Sequence, residues 1–342
     1  MVKDVYVSGK ILTINGFKNG FINLNSEKPY QIQKGVPPSS PIKKGLIVPS
    51  FCNAHTHIGD TFIRSRDVTL PNNIEQLVAP PDGLKHRLLK EASEKEIKQG
   101  MNLALNEMTQ AGIDFFCDFR ENGINGAKTL KLMGKHAGIT PIIYGRPENL
   151  DVDKKEILEL IKIADGIGLS SISDWKTDNL EIIANYAKKH NTSLALHASE
   201  RIREDIDFIL SLEPTFLVHM TQGTKKDFEK IKQQNIPVVI CPRSNAFFGY
   251  KPPLQRMKKT GIELLIGTDN AMLHSLKMQD EIHFIQKQFP NMFSLESLLA
   301  MTTILPRKVL NLKDGMSRST FPTSFLVLDT KTLEPIFKSK KG

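Results

Sequence analysis

Ile47-Val48-Pro49-Ser50-Phe51-Cys52-Asn53-Ala54-His55-Thr56-His57 runs from an apolar stretch directly into two histidines. The apolar half, Ile47–Phe51, reads as a buried strand, and the histidines as what that strand delivers at its C-terminal end. Seven further runs of this kind follow: Ile113–Phe116, Pro141–Tyr144, Gly166–Leu169, Ser193–Leu196, Thr215–Val218, Pro237–Ile240 and Glu263–Ile266. Each is too short to be a helix. The stretches between them carry helical signals instead. Ser93-Glu94-Lys95-Glu96 is a capping box, and Ile97, Met101, Ala104, Leu105 and Met108 then recur on one helical face until Gly112 ends it. Asp178 with Glu181 repeats the start signal, opening a helix to about Lys189.

Strands alternating with helices imply parallel pairing with right-handed crossovers, and eight such units point to a TIM-type (β/α)₈ barrel over residues 47–305. An open doubly wound sheet is the structural alternative, but no Gly-x-Gly-x-x-Gly turn supports it. Upstream, Val5-Tyr6-Val7, Lys10–Ile14 and Gly20-Phe21-Ile22 read as short strands, with turns at Asn15-Gly16 and Asn19-Gly20. Phe325–Asp329 is another strand. The expectation is a small β-sandwich layer built from residues 1–46 and 306–342 beside the barrel.

The chain has 342 residues, 40% hydrophobic and 24% charged, with a formal net charge of +9. Its basic residues are scattered along helical stretches, which reads as solvated helix faces and gives no expectation of nucleic-acid binding. Cys52, Cys117 and Cys241 are odd in number and far apart, so buried thiols in a reducing compartment are expected over a disulfide framework. No apolar run approaches the ~20 residues needed to cross a membrane. The N-terminus lacks the apolar segment of a signal peptide. A cytoplasmic, membrane-free protein with a small-molecule substrate is the expectation.

Barrel enzymes draw their chemistry from the C-terminal ends of the strands. Here those ends supply His55 and His57, then His197 with Glu200, then His219, then Asp269. Each alone has an ordinary explanation: a lone histidine is usually a satisfied polar residue, and Asp269 could cap a turn. The combination is what is improbable, since barrel geometry makes all four ends converge. Imidazole and carboxylate suit one divalent ion, Zn²⁺ first, with Fe²⁺ and Mn²⁺ also compatible.

The segment Val48–His57, the His197-x-x-Glu200 pair, His219 and the Gly267-Thr268-Asp269-Asn270 turn together resemble the amidohydrolase superfamily, in its cytosine deaminase and chlorohydrolase-like branch. The resemblance covers nearly the whole chain. It implies that His55, His57, His197 and Asp269 bind the metal, that Asp269 and Glu200 move protons, and that His219 holds the substrate or the attacking water. The Cys241-Pro242-Arg243-Ser244-Asn245 segment resembles a loop that shapes the pocket in that branch. Members of the branch often form homo-oligomers, so an oligomer is expected by resemblance. Binuclear members use a Lys or Glu at the end of strand four; here that end reads Gly168–Ser173, with no Lys before Lys176, which favours one ion.

The implied activity is hydrolytic deamination of an amino-substituted purine, pyrimidine, pterin or similar ring. Hydrolysis of a cyclic amide or of a ring chlorine is the alternative on the same scaffold, and a non-catalytic binding protein is the third reading. Basic residues at barrel-end positions, Arg120, Arg146 and Arg243, with Asn245, are candidate substrate contacts; an anionic substrate group clamped by one of the arginines is weighed against ion pairs with Glu121 or Glu148. Loops add Arg64, Arg66, Lys85 and Arg87.

Overall fold

A computed structural model describes residues 4–339. Its strands, in chain order, are β1 (Tyr6–Thr13), β2 (Gly16–Asn23), β3 (Lys43–Pro49), β4 (Phe51–His57), β5 (Ile113–Arg120), β6 (Thr140–Gly145) and β7 (Gly166–Leu169). They continue with β8 (Ser193–Ala198), β9 (Phe216–His219), β10 (Val238–Ile240), β11 (Leu264–Ile266), β12 (Asp269–Asn270), β13 (Phe325–Leu328) and β14 (Pro335–Lys338).

β4 to β12 form a nine-stranded sheet in the order β11-β10-β9-β8-β7-β6-β5-β4-β12. Its neighbouring strands pair in parallel, as in β5–β6, β7–β8 and β10–β11. Helices fall between successive strands, including Gly123–Ala137, Lys154–Ile163 and Thr177–Lys189. The result is a mixed α/β fold with a curled parallel sheet, as in a TIM-like barrel. The sheet's two terminal members, β11 and β12, are consecutive in the chain. Between them lies only Gly267-Thr268, whose Thr268 N–H donates to His55 O at 3.1 Å.

The N- and C-terminal segments contribute one five-stranded sheet, ordered β14-β13-β3-β1-β2. β1 and β2 are an antiparallel hairpin closed at Thr13 and Gly16, β1 and β3 are parallel, and β13 runs antiparallel to β3. Val7, Ile11, Ile22, Ile47, Phe325 and Val327 fill its core. A sandwich was the expectation; among the described residues the segment strands make a single sheet.

Strand one also differs. Ile47–Phe51 reads as one strand, but the chain breaks at Ser50, so that β3 belongs to the five-stranded sheet and β4 heads the parallel one. The backbone changes partners there: Ser50 N–H donates to Ser324 O at 3.2 Å and Phe51 N–H to Gly112 O at 3.0 Å. Pro49, lacking an N–H, cannot carry a ladder through this point.

The helix predicted after Ser93 spans Glu94–Gln110, and Ser93 Oγ accepts from Glu96 N–H at 3.2 Å. Met101, Ala104, Leu105 and Met108 are buried, and Gly112 follows at φ +82°, where a side chain would be strained. The next predicted helix begins at Thr177, one residue before Asp178, and Lys176 at its cap makes no side-chain hydrogen bond. Cys52, Cys117 and Cys241 are buried and form no disulfide. No helix among the described residues is long and apolar enough to cross a membrane.

By backbone contacts the chain divides into two compact units. One comprises Met1–Cys52, Met108–Asp114 and Lys277–Gly342; the other comprises Asn53–Glu107 and Phe115–Leu276. Every residue of the candidate site lies in the second.

Candidate active site

The strand ends of the second unit bring the predicted residues together. His55 Nε2 lies 3.3 Å from Asp269 Oδ1, His57 Nε2 lies 3.5 Å from the same oxygen, and the Nε2 atoms of His57 and His197 are 3.3 Å apart. Donor atoms of His55, His197, His219 and Asp269 all fall within 4.8 Å of one another. All five residues are buried.

The hydrogen bonds fix the tautomers. His57 Nδ1 faces only acceptors, Glu121 Oε1 at 2.8 Å and Phe119 O at 3.0 Å, so it carries the proton. His197 Nδ1 likewise donates to Leu169 O at 2.9 Å. Both Nε2 atoms therefore turn bare lone pairs towards each other, an unfavourable contact unless a cation lies between. Neither ring nitrogen of His55 has a hydrogen-bond partner, and Asp269 Oδ1 has none either. Two atoms coordinated tetrahedrally at ~2.0–2.1 Å from zinc lie roughly 3.3–3.4 Å apart. The observed separations of 3.3 to 3.5 Å match that spacing, so the residues present fit a divalent ion.

Electrostatics agree. Burial, followed by the nearby Lys85 ammonium, pulls His57 down to about 3. Burial and the neighbouring imidazoles hold His197 well below its ordinary value. His219 falls to about 4, again through burial. Burial opposes ionisation at Asp269, yet His55, His219 and His57 outweigh it and keep the carboxyl well below its ordinary value. Imidazoles held towards their neutral form at His57, His197 and His219, beside the Asp269 carboxylate, suit a divalent ion.

Two of these residues leave their strands in the left-handed region, His219 at φ +76° and Asp269 at φ +64°. For residues other than glycine this costs on the order of 1–3 kcal/mol each, and such strain concentrates at functional sites. Ser244 Oγ donates to Asp269 Oδ2 at 2.5 Å and braces it.

Glu200 stands on the cavity wall beside His219, whose Nδ1 is 3.4 Å from Glu200 Oε1. Burial and then the Asp269 charge push its carboxyl well above the ordinary value, which favours its acid form. Asn245 Nδ2 donates to Glu200 Oε1 at 3.1 Å and lies 3.2 Å from His219 Nδ1.

Residues 46–342 match the amidohydrolase family. The chain belongs to that family. This amidohydrolase is thus a hydrolase of carbon–nitrogen bonds other than peptide bonds. It is 38% identical over 291 residues to an uncharacterised protein of Methanocaldococcus jannaschii, covering 79% of this chain and 75% of that one. It is 23% identical over 322 residues to the 5-methylthioadenosine/S-adenosylhomocysteine deaminase of Pyrococcus furiosus, covering 84% and 75%. Helicobacter pylori aminofutalosine deaminase, solved with methylthio-coformycin, shares the fold at a TM-score of 0.74 and 14% identity, covering 96% of this chain and 92% of that one.

The predicted substrate contacts separate on inspection. Arg146 lines the cavity that holds Glu200, His219 and Asp269. Arg120 does not: its guanidinium is turned to Glu121 Oε2 at 2.8 Å and Asp118 Oδ1 at 3.5 Å. Arg243 does not either, and it donates to Ser275 Oγ at 3.1 Å. Asn245 sits behind Glu200 and His219 and is absent from the cavity wall.

Two residues escaped the sequence reading. Lys85, read there as a loop cation, is 1% exposed and lines the cavity. Glu121, read as an acid pairing with an arginine, is buried and receives His57, Lys85 and Arg120 at once. The only signal for Glu121 was its position immediately after a strand end.

Proposed function

We propose that this amidohydrolase is a deaminase of an amino-substituted heterocycle, with one divalent ion, zinc first, held by His55, His57, His197 and Asp269. The observation that carries the reading is a buried carboxyl, Glu200, which accepts from Asn245 Nδ2 at 3.1 Å and lies 3.4 Å from His219 Nδ1 on the wall of the cavity that His197 and Asp269 also line. Its relative from Pyrococcus furiosus, a 5-methylthioadenosine/S-adenosylhomocysteine deaminase, supports the same class. The curled sheet is taken as a closed (β/α)₈ barrel that begins with β4 at Phe51, since Lys43–Pro49 pairs in the five-stranded sheet.

A divalent ion held by His55, His57, His197 and Asp269 would supply Lewis acidity to activate a water. Asp269, whose carboxyl is held well below its ordinary value, would accept a proton from the attacking water as its oxygen adds to the ring carbon. Glu200 gives its proton to the adjacent ring nitrogen, and His219 holds the developing oxygen. Glu200, now a carboxylate, takes the remaining proton of the new hydroxyl and passes it to the exocyclic amine. The carbon–nitrogen bond breaks, ammonia leaves, and the ring carbon keeps the oxygen as a carbonyl. The proton held by Asp269 returns Glu200 to its acid form. Proton transfer of this kind contributes typically 10²–10⁴-fold.

The test is ammonia release by zinc-loaded protein over a panel of aminopurines, aminopyrimidines and pterins, beside Glu200→Gln. Release that falls at least a hundredfold in the variant, with metal content unchanged, is the expected result. Turnover of cyclic amides or chlorinated rings without ammonia would replace the deaminase reading with its alternative.

A further inference from the structure

We propose that Arg146, with Lys85 nearby on the same cavity wall, forms an oxyanion subsite, so that the substrate carries a carboxylate or a phosphate. The proposal rests on reading this cavity as the substrate site. Arg146 follows β6, and its backbone N–H donates to Arg120 O at 3.0 Å. Its side chain is another matter. The residue is 7% exposed, the guanidinium makes no ion pair or hydrogen bond with any described residue, and Nη2 is buried without a partner.

The other buried arginines with the same problem have found acids. Arg120 pairs with Glu121 at 2.8 Å and Arg307 with Asp314 at 2.7 Å. Asp174 and Glu121 act on Arg146 electrostatically, but neither forms an ion pair with it. A buried cation with no partner destabilises the free protein, and it persists where a ligand supplies the missing charge. The planar guanidinium fork matches the two oxygens of a carboxylate or phosphate. A neutral ring offers nothing equivalent.

Lys85 adds a second positive charge. It comes from the helix Leu84–Glu91, and its Nζ donates to Glu121 Oε1 at 2.6 Å and Asn270 Oδ1 at 2.9 Å. These use two of its three N–H donors, and Asp60 Oδ2 lies 3.6 Å from the same Nζ. Arg146 and Lys85 line the same cavity.

The test needs no knowledge of the ring. The melting temperature of zinc-loaded protein is followed against sulfate, a weak zinc ligand with the oxygen arrangement of a phosphate ester, and against acetate. A ligand that binds only the folded state raises the melting temperature saturably, which yields a dissociation constant. Wild type is expected to bind one probe saturably, with Arg146→Met at least tenfold weaker and Arg146→Lys between the two. Arg87→Met, which removes one positive charge from the exposed side of the neighbouring helix, should stay within twofold. Sulfate preferred over acetate assigns a phosphate, and the reverse assigns a carboxylate. Without probe, Arg146→Met should melt higher than wild type, because it removes an unpaired buried charge. Absence of saturable binding by wild type, or equal binding by Arg146→Met, overturns the subsite. Ammonia release is read separately, so a failed deaminase reading leaves the anion result standing, and the converse.

Discussion

Glu121 Oε1 accepts the Nδ1–H of His57 at 2.8 Å, which leaves the opposite ring nitrogen of His57 facing Asp269 and His197. The same oxygen takes Lys85 Nζ at 2.6 Å, and the other oxygen takes Arg120 Nη2 at 2.8 Å. Burial opposes its ionisation, but Lys85, His57 and Arg120 together hold the carboxyl well below its ordinary value. A carboxylate held ionised thus orients His57, one of the proposed metal ligands. Replacing it by the neutral Glu121→Gln should weaken metal affinity about tenfold, at the low end of the 10–100-fold typical for partners of metal-bound histidines. Competition against a chelator of known affinity checks this, and unchanged affinity would remove Glu121 from the account.

Asn245 holds both Glu200 and His219 yet does not face the cavity. Asn245→Ala should therefore lower kcat by about 10–100-fold with KM nearly unmoved, as expected when an interaction serves the transition state and not substrate binding. Steady-state kinetics on the best substrate of the ammonia screen distinguishes this from a substrate-binding role, in which KM would rise with kcat preserved.

Gly267 packs against the first histidine strand. A Cβ there would sit 2.7 Å from both the Cβ and the backbone N of His55. Backbone cannot swing aside as a flexible side chain can, so Gly267→Ala should push His55 out of register with Asp269. A loss of about 1–3 kcal/mol in stability, the usual cost of overpacking, should accompany weaker metal binding. Denaturant unfolding of the metal-free protein measures the first, and the chelator competition measures the second.

Away from the site, Asp227 caps its helix through Thr224 and pairs with Arg203 at 2.7 and 2.9 Å. Burial resists its ionisation, but Arg203 and Thr224 outweigh this and hold the carboxyl below its ordinary value. A depressed carboxyl stabilises the fold above the unfolded value, near pH 4, and that contribution is lost as pH falls through the folded value. Asp227→Asn should thus be about 1–3 kcal/mol less stable at pH 7, where charged hydrogen bonds and the cap both count, and should approach wild type towards pH 2. Urea midpoints at the two pH values test the sign.

Most of the parallel sheet was legible as short apolar runs between helical stretches, and the five converging residues because they follow such runs although they are costly to bury. His55, His197, His219 and Asp269 have little reason to follow apolar runs unless something receives them. Lys85 was not legible, since a lysine in a short amphipathic helix normally points to water, and its partners, the hydrogen-bonded Glu121 and Asn270 and the nearby Asp60, come from separate parts of the sequence. The break at Ser50 was hidden for a related reason: β3 and β4 are both apolar and nearly contiguous, and only the change of hydrogen-bond partners separates them. Arg120, Arg146 and Arg243 look alike as strand-end cations, and only the structure shows that Arg120 has Glu121 while Arg146 has no acid within ion-pairing distance.

The most direct test of the account is the metal content of the purified protein, measured by elemental analysis beside His197→Ala. One zinc or other divalent transition-metal ion per chain in wild type, lost in the variant, is the predicted result. Two ions per chain, or none, would contradict it.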